Sequence, residues 1–243
     1  MNTFEIDVAI LCGGLGMRLR PELGETPKVM APVGGHPFLE ILIQQLAAFG
    51  LERIILCTGY KAQEVEDYFR QKKGGLKIEF SREEEPLGTG GALKNAQGLF
   101  HSDPFLLLNG DCFCPLDWGK FVHFHLQKKA VATLAISKVK ERADYGSILL
   151  GPEERIMEFR EKMKSPAGQD GHSGGWVNAG AYCFSKEIFS LMPGAKKFSL
   201  EKDFFPVLAR QAMYGFIVEE VFMDIGTPDR YRETIKAMEK KRS

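Results

Sequence analysis

Residues 10 to 28 read Ile-Leu-Cys-Gly-Gly-Leu-Gly-Met-Arg-Leu-Arg-Pro-Glu-Leu-Gly-Glu-Thr-Pro-Lys, and they decide how the chain is read. A short apolar run, Val8 to Leu11, breaks into Gly13, Gly14 and Gly16, and Arg18 and Lys28 follow. Three glycines let the backbone take positive φ and approach a ligand closely. Successive exposed N–H groups then form a concavity suited to anionic oxygens. Arginine contributes a planar fork that fits phosphate, and lysine a compact point charge. The stretch has the chemistry of a polyphosphate cradle at the end of a strand. Its plainer reading is a glycine turn that binds nothing, and Arg18, Pro27 and Lys28 weigh against that. A mononucleotide P-loop, Gly-x-x-x-x-Gly-Lys-Ser/Thr, is absent. The dinucleotide spacing Gly-x-Gly-x-x-Gly fails as well, because counting on from Gly14 and Gly16 lands on Leu19.

Working outward, short β-branched runs alternate with amphipathic stretches through the first half. Val8–Leu11, Ile54–Thr58, Leu76–Phe80 and Phe105–Asn109 read as strands; Pro37–Phe49, Ala62–Gln71 and Gly91–Phe100 read as helices. This alternation predicts an α/β fold, a doubly wound, mostly parallel sheet with helices on both faces. Ligands of such sheets sit beyond the carboxyl ends of the strands. The glycine loop and the turn Asn109-Gly110-Asp111 both fall there. The second half is richer in strands: Ala132–Ser137, Ser147–Leu150, Ile156–Arg160, Val177–Phe184 and Phe216–Phe222. Thr227, Pro228 and Asp229 cap, start and complement a closing helix that runs to about Lys240. The polar, glycine-rich stretch 165–175 reads as a surface loop or as a lid.

Composition removes several classes. The 32 basic and 32 acidic residues give no net field, so nucleic acid and anionic membrane are not expected partners. No apolar run approaches the ~18 residues that a membrane span needs, and no secretory signal is visible, so a cytoplasmic location is expected. The five cysteines (Cys12, Cys57, Cys112, Cys114 and Cys183) lack zinc-site spacing and read as reduced thiols. His123 and His125 point different ways on a helix and make a poor metal pair.

Two carboxylates stand out. Asp111 follows an apolar strand and a turn, and Asp224, in Met223-Asp224-Ile225-Gly226-Thr227-Pro228, again lies between a strand and a helix start. Mg²⁺ takes one or two carboxylates together with phosphate oxygens and waters. If the second half folds back on the first, Asp111 and Asp224 meet that need. Residues 83–92, Glu-Glu-Glu-Pro-Leu-Gly-Thr-Gly-Gly-Ala, form another glycine turn. There Gly88 can let a flat base lie on the backbone, and the helix start can receive an anion.

The stretch at 10–28 resembles the signature of the nucleotidyltransferases that make nucleotide sugars, Leu-x-Gly-Gly-x-Gly-Thr-Arg-Leu-x-Pro followed by Pro-Lys. Glu85-Pro-Leu-Gly-Thr-Gly-Gly-Ala92, Leu108-Asn-Gly-Asp111 and Asp224-Ile-Gly-Thr-Pro-Asp-Arg-Tyr231 resemble further family elements, in order, from residue 8 to about 232. The resemblance implies a Rossmann-like fold with a strand-rich sugar-binding insertion in the second half. It implies one domain over 1–243, with a nucleotide half (1–130) and a sugar-phosphate half (131–243). It implies nucleotide contacts at Leu11, Gly13, Gly14 and Gly16, and at Glu85, Gly88, Thr89, Asn109 and Gly110. Arg18 and Lys28 would be catalytic, and Mg²⁺ would sit on Asp111 and Asp224. Tyr145-Gly146, Glu161-Lys162 and Asn178 resemble the elements beside the sugar phosphate. The expected reaction is NTP plus sugar 1-phosphate giving NDP-sugar and pyrophosphate, by a monomer or homo-oligomer. Cys12 and the 85–92 stretch look most like the bacterial branch that joins GTP to a heptose 1-phosphate. UTP, dTTP or CTP with another sugar, or a homologue that binds without catalysis, are the alternatives. Two departures mark the chain: Met17 where the family usually carries threonine, and Met163 where it carries proline.

Overall fold

The computed structural model describes residues 5–72, 75–139, 146–161, 175–220 and 222–242. Strand β1 (Asp7–Leu11) runs into the glycine loop, a short helix α1 (Arg20–Leu23), the small hairpin β2 (Pro32–Val33) and β3 (His36–Pro37), and helix α2 (Phe38–Ala48). Then follow β4 (Arg53–Thr58), α3 (Ala62–Gln71), β5 (Lys77–Arg82), α4 (Gly88–Asn95), β6 (Phe105–Asn109), the short β7 (Cys112–Phe113) and α5 (Trp118–Lys128). The second half contributes β8 (Ala132–Val139), β9 (Ser147–Leu150), β10 (Ile156–Arg160), β11 (Gly175–Phe184), α6 (Ile188–Leu191), α7 (Phe205–Leu208) and β12 (Met213–Ile217). It closes with β13 (Met223–Asp224) and α8 (Pro228–Arg242).

The main sheet runs β10-β9-β11-β6-β1-β4-β5, with β8 on the other edge of β11 and β12 beyond it. β6, β1, β4 and β5 pair in parallel. Period-2 alternation sends their side chains to opposite faces. Val8, Ile10, Ile54, Leu56, Leu106 and Leu108 pack under α2, α3 and α5. Ala9, Ile55, Cys57, Phe105 and Leu107 pack under α4 and the segment Leu200–Leu208. Strands buried on both faces are continuous apolar runs, which is the doubly wound α/β arrangement the pattern predicts.

β11 joins the halves. Its second part pairs antiparallel with β6 and its first part with the β9–β10 hairpin, while β8 follows its other edge. The register shifts between Asn178 and Tyr182. At that irregularity Gly180 has φ +78°, and a Cβ there would lie 2.9 Å from Cys112 Cβ. Only glycine takes both the left-handed backbone and the close approach.

Two boundaries differ from the sequence reading. The strand expected at 216–222 is Met213–Ile217; after Val218 donates to the Ile136 carbonyl (2.8 Å), the charged pair Glu219-Glu220 leads the chain away. The helix expected at 91–100 begins at Gly88 and ends at Asn95. Glycines are poor helix formers. Here, however, the Phe198 carbonyl accepts from the N–H groups of Gly90 and Gly91 (3.0 and 3.2 Å), and a tertiary contact starts the helix early.

His125, 2% exposed on α5, shares a 2.9 Å hydrogen bond with Thr133. Burial depresses its pKa to about 4, against a small opposing pull from Asp103. A base with a depressed folded-state pKa binds protons more readily when unfolded, so stability falls as pH drops from about 6.5 towards 4. Acidification from pH 7.5 to 5 is expected to remove about 2 kcal/mol through this group. Urea denaturation at both pH values checks this: His125→Phe should flatten the dependence, and an equally steep variant would overturn the assignment.

Candidate active site

The loop after β1 is shaped by its three glycines in different ways. A Cβ at Gly13 would lie 2.4 Å from the Glu83 carboxylate, and Gly16, at φ +59°, packs on the Lys28 side chain. Nothing lies within 4 Å of a Cβ placed at Gly14. None of the N–H groups from Gly13 to Arg18 donates a hydrogen bond among the described residues. Aimed together, such donors suit an oxyanion. The loop borders a cavity of ≈ 460 Å³ whose walls include Leu11, Gly13, Gly14, Gly16, Arg18 and Lys28 on one side. Glu83, Gly88, Thr89, Asn109, Gly110 and Asp111 face them. Gly110 is held against the end of β1, where its N–H donates to the Leu11 carbonyl (3.0 Å) and a Cβ would meet that oxygen at 2.5 Å.

Glu85 is not part of that wall. It is exposed and paired with Lys196 (2.9 Å), which lowers its pKa first through that hydrogen bond. The carboxylate that reaches the cavity is Glu83, directly after β5. It accepts the Leu87 N–H (2.8 Å), and burial holds its pKa above the usual carboxylate value. The rule that ligands meet the carboxyl ends of strands would have singled out Glu83; the repeated Glu-Glu-Glu obscured it. At the start of α4 Phe198 takes the N–H groups of Gly90 and Gly91, while Gly88 and Thr89 border the cavity. Glycines 88, 90 and 91 admit this segment: a Cβ at each would come within 2.6 Å of Phe198 or Lys196. Thr89 Oγ1 accepts from Leu200 N–H (2.9 Å) and donates to Glu201 (2.6 Å), tying the two segments further.

A second chamber, ≈ 160 Å³, is lined by Cys112, Gly146, Glu161, Asn178, Asp224 and Arg230 among others. It shares Arg18, Asn109, Asp111 and Gly226 with the first. The irregular stretch of β11 brings Asn178 to it: its Oδ1 accepts from Gly180 N–H (3.0 Å) and its Nδ2 donates to the Tyr182 hydroxyl (2.7 Å). Asn109 borders both chambers, and its Oδ1 is buried without a hydrogen-bond partner among the described residues. Burial, then repulsion from Glu201, raises the Glu161 pKa against the pull of Lys202. Tyr145, Lys162, Met163 and nearly all of the 165–175 loop lie outside the described residues.

Asp111 and Asp224 come together through β13, which pairs antiparallel with β7 so that Asp224 faces Cys112, and Ile225 N–H donates to the Asp111 carbonyl (3.0 Å). Each carboxylate meets a cation. Lys28 donates to Asp111; burial opposes ionisation there, but the lysine charge and hydrogen bond outweigh it and lower the pKa. Arg230, on the first turn of α8, lies 3.3 Å from Asp224. Burial and the two carboxylates push the Cys112 thiol up, so it stays protonated and donates to Asp111 (3.3 Å). Among the described residues no cluster of three or more His, Cys, Asp and Glu side chains forms a metal cage. Two hard carboxylates at the chamber walls, each already attracting a cation, have the chemistry to hold a divalent cation that takes few protein ligands. Met17, 58% exposed, borders the first chamber, and its backbone N–H belongs to the same run from Gly13 to Arg18.

Among the described residues no helix is long and apolar enough to cross a membrane. Known proteins resemble the chain throughout. It is 38% identical to D-glycero-alpha-D-manno-heptose 1-phosphate guanylyltransferase of Aneurinibacillus thermoaerophilus, over 96% of this chain and 99% of that protein. It is 33% identical to the Campylobacter jejuni enzyme of the same name, over 91% of this chain and 95% of that one. The crystal structure of HddC from Yersinia pseudotuberculosis, complexed with GMP-PN, superposes with a TM-score of 0.82 at 35% identity, covering 96% and 99% of the two chains. Residues 8–241 match the nucleotidyl transferase family, and the chain belongs to it.

Proposed function

We propose that this chain transfers a guanylyl group from GTP to a heptose 1-phosphate, releasing pyrophosphate. The observation that carries the reading is the wall shared by the two chambers. Arg18, Asn109, Asp111 and Gly226 border both, so a nucleotide in one and a sugar phosphate in the other meet across them. The names of the relatives, heptose 1-phosphate guanylyltransferases from two bacteria, support the choice of substrates. On this reading the chain works as one unit, residues 1–130 holding the nucleotide and 131–243 the sugar phosphate.

The nucleophile is a phosphate oxygen of the sugar 1-phosphate, already anionic near neutral pH. It attacks the α-phosphorus of GTP; the bond from that phosphorus to the bridging oxygen breaks, and pyrophosphate leaves with the electron pair. No general base is needed, and catalysis consists of alignment and charge stabilisation. Arg18 and the N–H groups of residues 13–18 receive the departing phosphates, and Lys28 the charge near the reacting centre. Asp111 and Asp224 would hold Mg²⁺, which, when bound, withdraws charge from the phosphate oxygens. Asn178, Glu161 and Gly146 border the sugar; for Tyr145 and Lys162, outside the described residues, a place beside it is proposed from the sequence resemblance alone.

Glu83 suits guanine. The Watson–Crick edge of that base presents N1–H and an amino group side by side, two donors that a single carboxylate accepts. Uracil, thymine and cytosine do not present that pair.

A grid of GTP, UTP, dTTP, CTP and ATP against several sugar 1-phosphates, scored by Mg²⁺-dependent pyrophosphate release, tests the reading. GTP with the heptose 1-phosphate should give the highest kcat/KM, and no release from any pair would sink it. Arg18→Ala and Lys28→Ala are each expected to lower turnover by ~10²–10⁴. Near-normal rates would remove those residues from the chemistry. Glu83→Gln keeps an acceptor for the Leu87 N–H and should cut kcat/KM for GTP about 10–100-fold, with UTP little affected. An equal loss with both nucleotides would mean that Glu83 does not read the base.

A further inference from the structure

Arg230 lies in the 224–231 element, where only Asp224 was given a role, yet it also lines the second chamber. Its backbone position is set locally: Thr227 Oγ1 accepts the Arg230 N–H (3.4 Å), and Pro228 opens the helix. From there its Nη1 approaches both oxygens of Asp224, at 3.3 and 3.4 Å. Strong charge-assisted contacts are shorter, ~2.7–2.9 Å. The aim of Asp224 is fixed by other groups. Gly226 N–H donates to its Oδ1 (2.8 Å), and Thr234 Oγ1 holds its carbonyl (3.0 Å). The arginine is thus a counter-ion to this carboxylate and is not what orients it.

The missing side chain at Gly226 makes room for this arrangement. A Cβ there would lie 2.7 Å from Asp224 Oδ1, and 3.8 Å from a guanidinium nitrogen of Arg18 and from one of Arg230. Two guanidinium groups therefore flank one point on the chamber wall. Like charges so placed repel; here the Asp224 carboxylate beside that point offsets the repulsion, and once a metal ion takes Asp224 the pair needs another anion. A phosphate, with its oxygens matched to the planar fork, is the complementary occupant.

We propose that Arg230 is a further substrate-binding residue, which neutralises Asp224 in the metal-free protein and turns to the phosphate of the acceptor sugar when a divalent cation takes that carboxylate. The proposal rests on the reading of the second chamber as the sugar-phosphate side. A carboxylate shared by two cations gains less from each, so metal entry loosens the arginine, and the arriving phosphate gives it a new partner. Of the charged groups facing the chamber, Arg18 repels Arg230, and Asp111 is engaged by Lys28. Glu161, the third carboxylate of the chamber among the described residues, lies on the proposed sugar side.

Two measurements separate this from a purely structural role. In the first, Mn²⁺ is titrated into metal-free protein without nucleotide and followed by electron paramagnetic resonance. Arg230→Gln should bind Mn²⁺ about tenfold more tightly, because the resident counter-ion is gone, and Arg230→Lys should fall between. In the second, Arg230→Gln should raise KM for the sugar 1-phosphate about 10–100-fold, leave KM for GTP within about threefold, and be partly rescued by lysine. Thermal unfolding of both variants establishes that they fold. Unchanged Mn²⁺ affinity, or a KM increase that falls on GTP, would overturn the proposal. If the wild-type protein turns over no NTP and sugar phosphate pair, the functional reading fails, while the Mn²⁺ titration still decides whether Arg230 guards Asp224.

Discussion

A pairing of two residues with two holds the crevice together. Met223 and Asp224 lie antiparallel to Phe113 and Cys112, and the adjoining Ile225 N–H reaches the Asp111 carbonyl. These few backbone bonds carry a carboxylate from near the end of the chain to one more than a hundred residues earlier. They also start α8, whose first turn presents Arg230, and they set Gly226 beside Arg18. Ile225 and Tyr231 anchor the arrangement from beneath, packed with Leu19, Phe38 and Leu42. Without this junction the phosphate loop would face open solvent, and the second chamber would lack a wall.

The crevice is also balanced internally. Lys28 meets Asp111, Arg230 meets Asp224, and Lys196 draws Glu85 away from the cavity. Breaking a partly buried pair by removing one member leaves an uncompensated charge, which costs more than the pair contributes. Phosphates and a divalent cation arriving together replace both partners at once. On the proposed function, substrate binding is an exchange of counter-ions at these carboxylates.

How far the sequence could be read depends on whether a signal was local. The strand and helix order followed from apolar periodicity, because parallel strands buried on both faces leave unmistakable runs such as Phe105–Leu108. The glycine loop was legible because its chemistry is contained within a few residues. Asp111 and Asp224 were recognisable as strand-end carboxylates, but their adjacency required the β7–β13 pairing, which is set by tertiary contact. What the sequence hid was of that second kind. The glycines at 88, 90 and 91 look like a ligand-binding turn; Gly88 does border the cavity, but all three also admit a chain segment more than a hundred residues away. Glu85 and Glu83 are chemically identical and two residues apart; only the end of β5 distinguishes them. Arg230 stood inside the recognised 224–231 element but drew no role of its own, since an arginine in the first turn of a helix is usually solvated.

The self-neutralised crevice affects how substrates arrive. A protein with 32 positive and 32 negative side chains has no net charge with which to draw polyanions from a distance. With Lys28 and Arg230 already engaged by carboxylates, the local field at the mouth is also muted. Electrostatic steering raises encounter rates only where an uncompensated field extends beyond about a Debye length, roughly 8 Å at physiological ionic strength. Capture of the nucleotide is therefore governed by ordinary diffusion and orientation, and its association rate should change little with added salt. Such a molecule discriminates among the many phosphorylated metabolites around it after contact rather than before, by whether a visitor can replace the counter-ions it finds there.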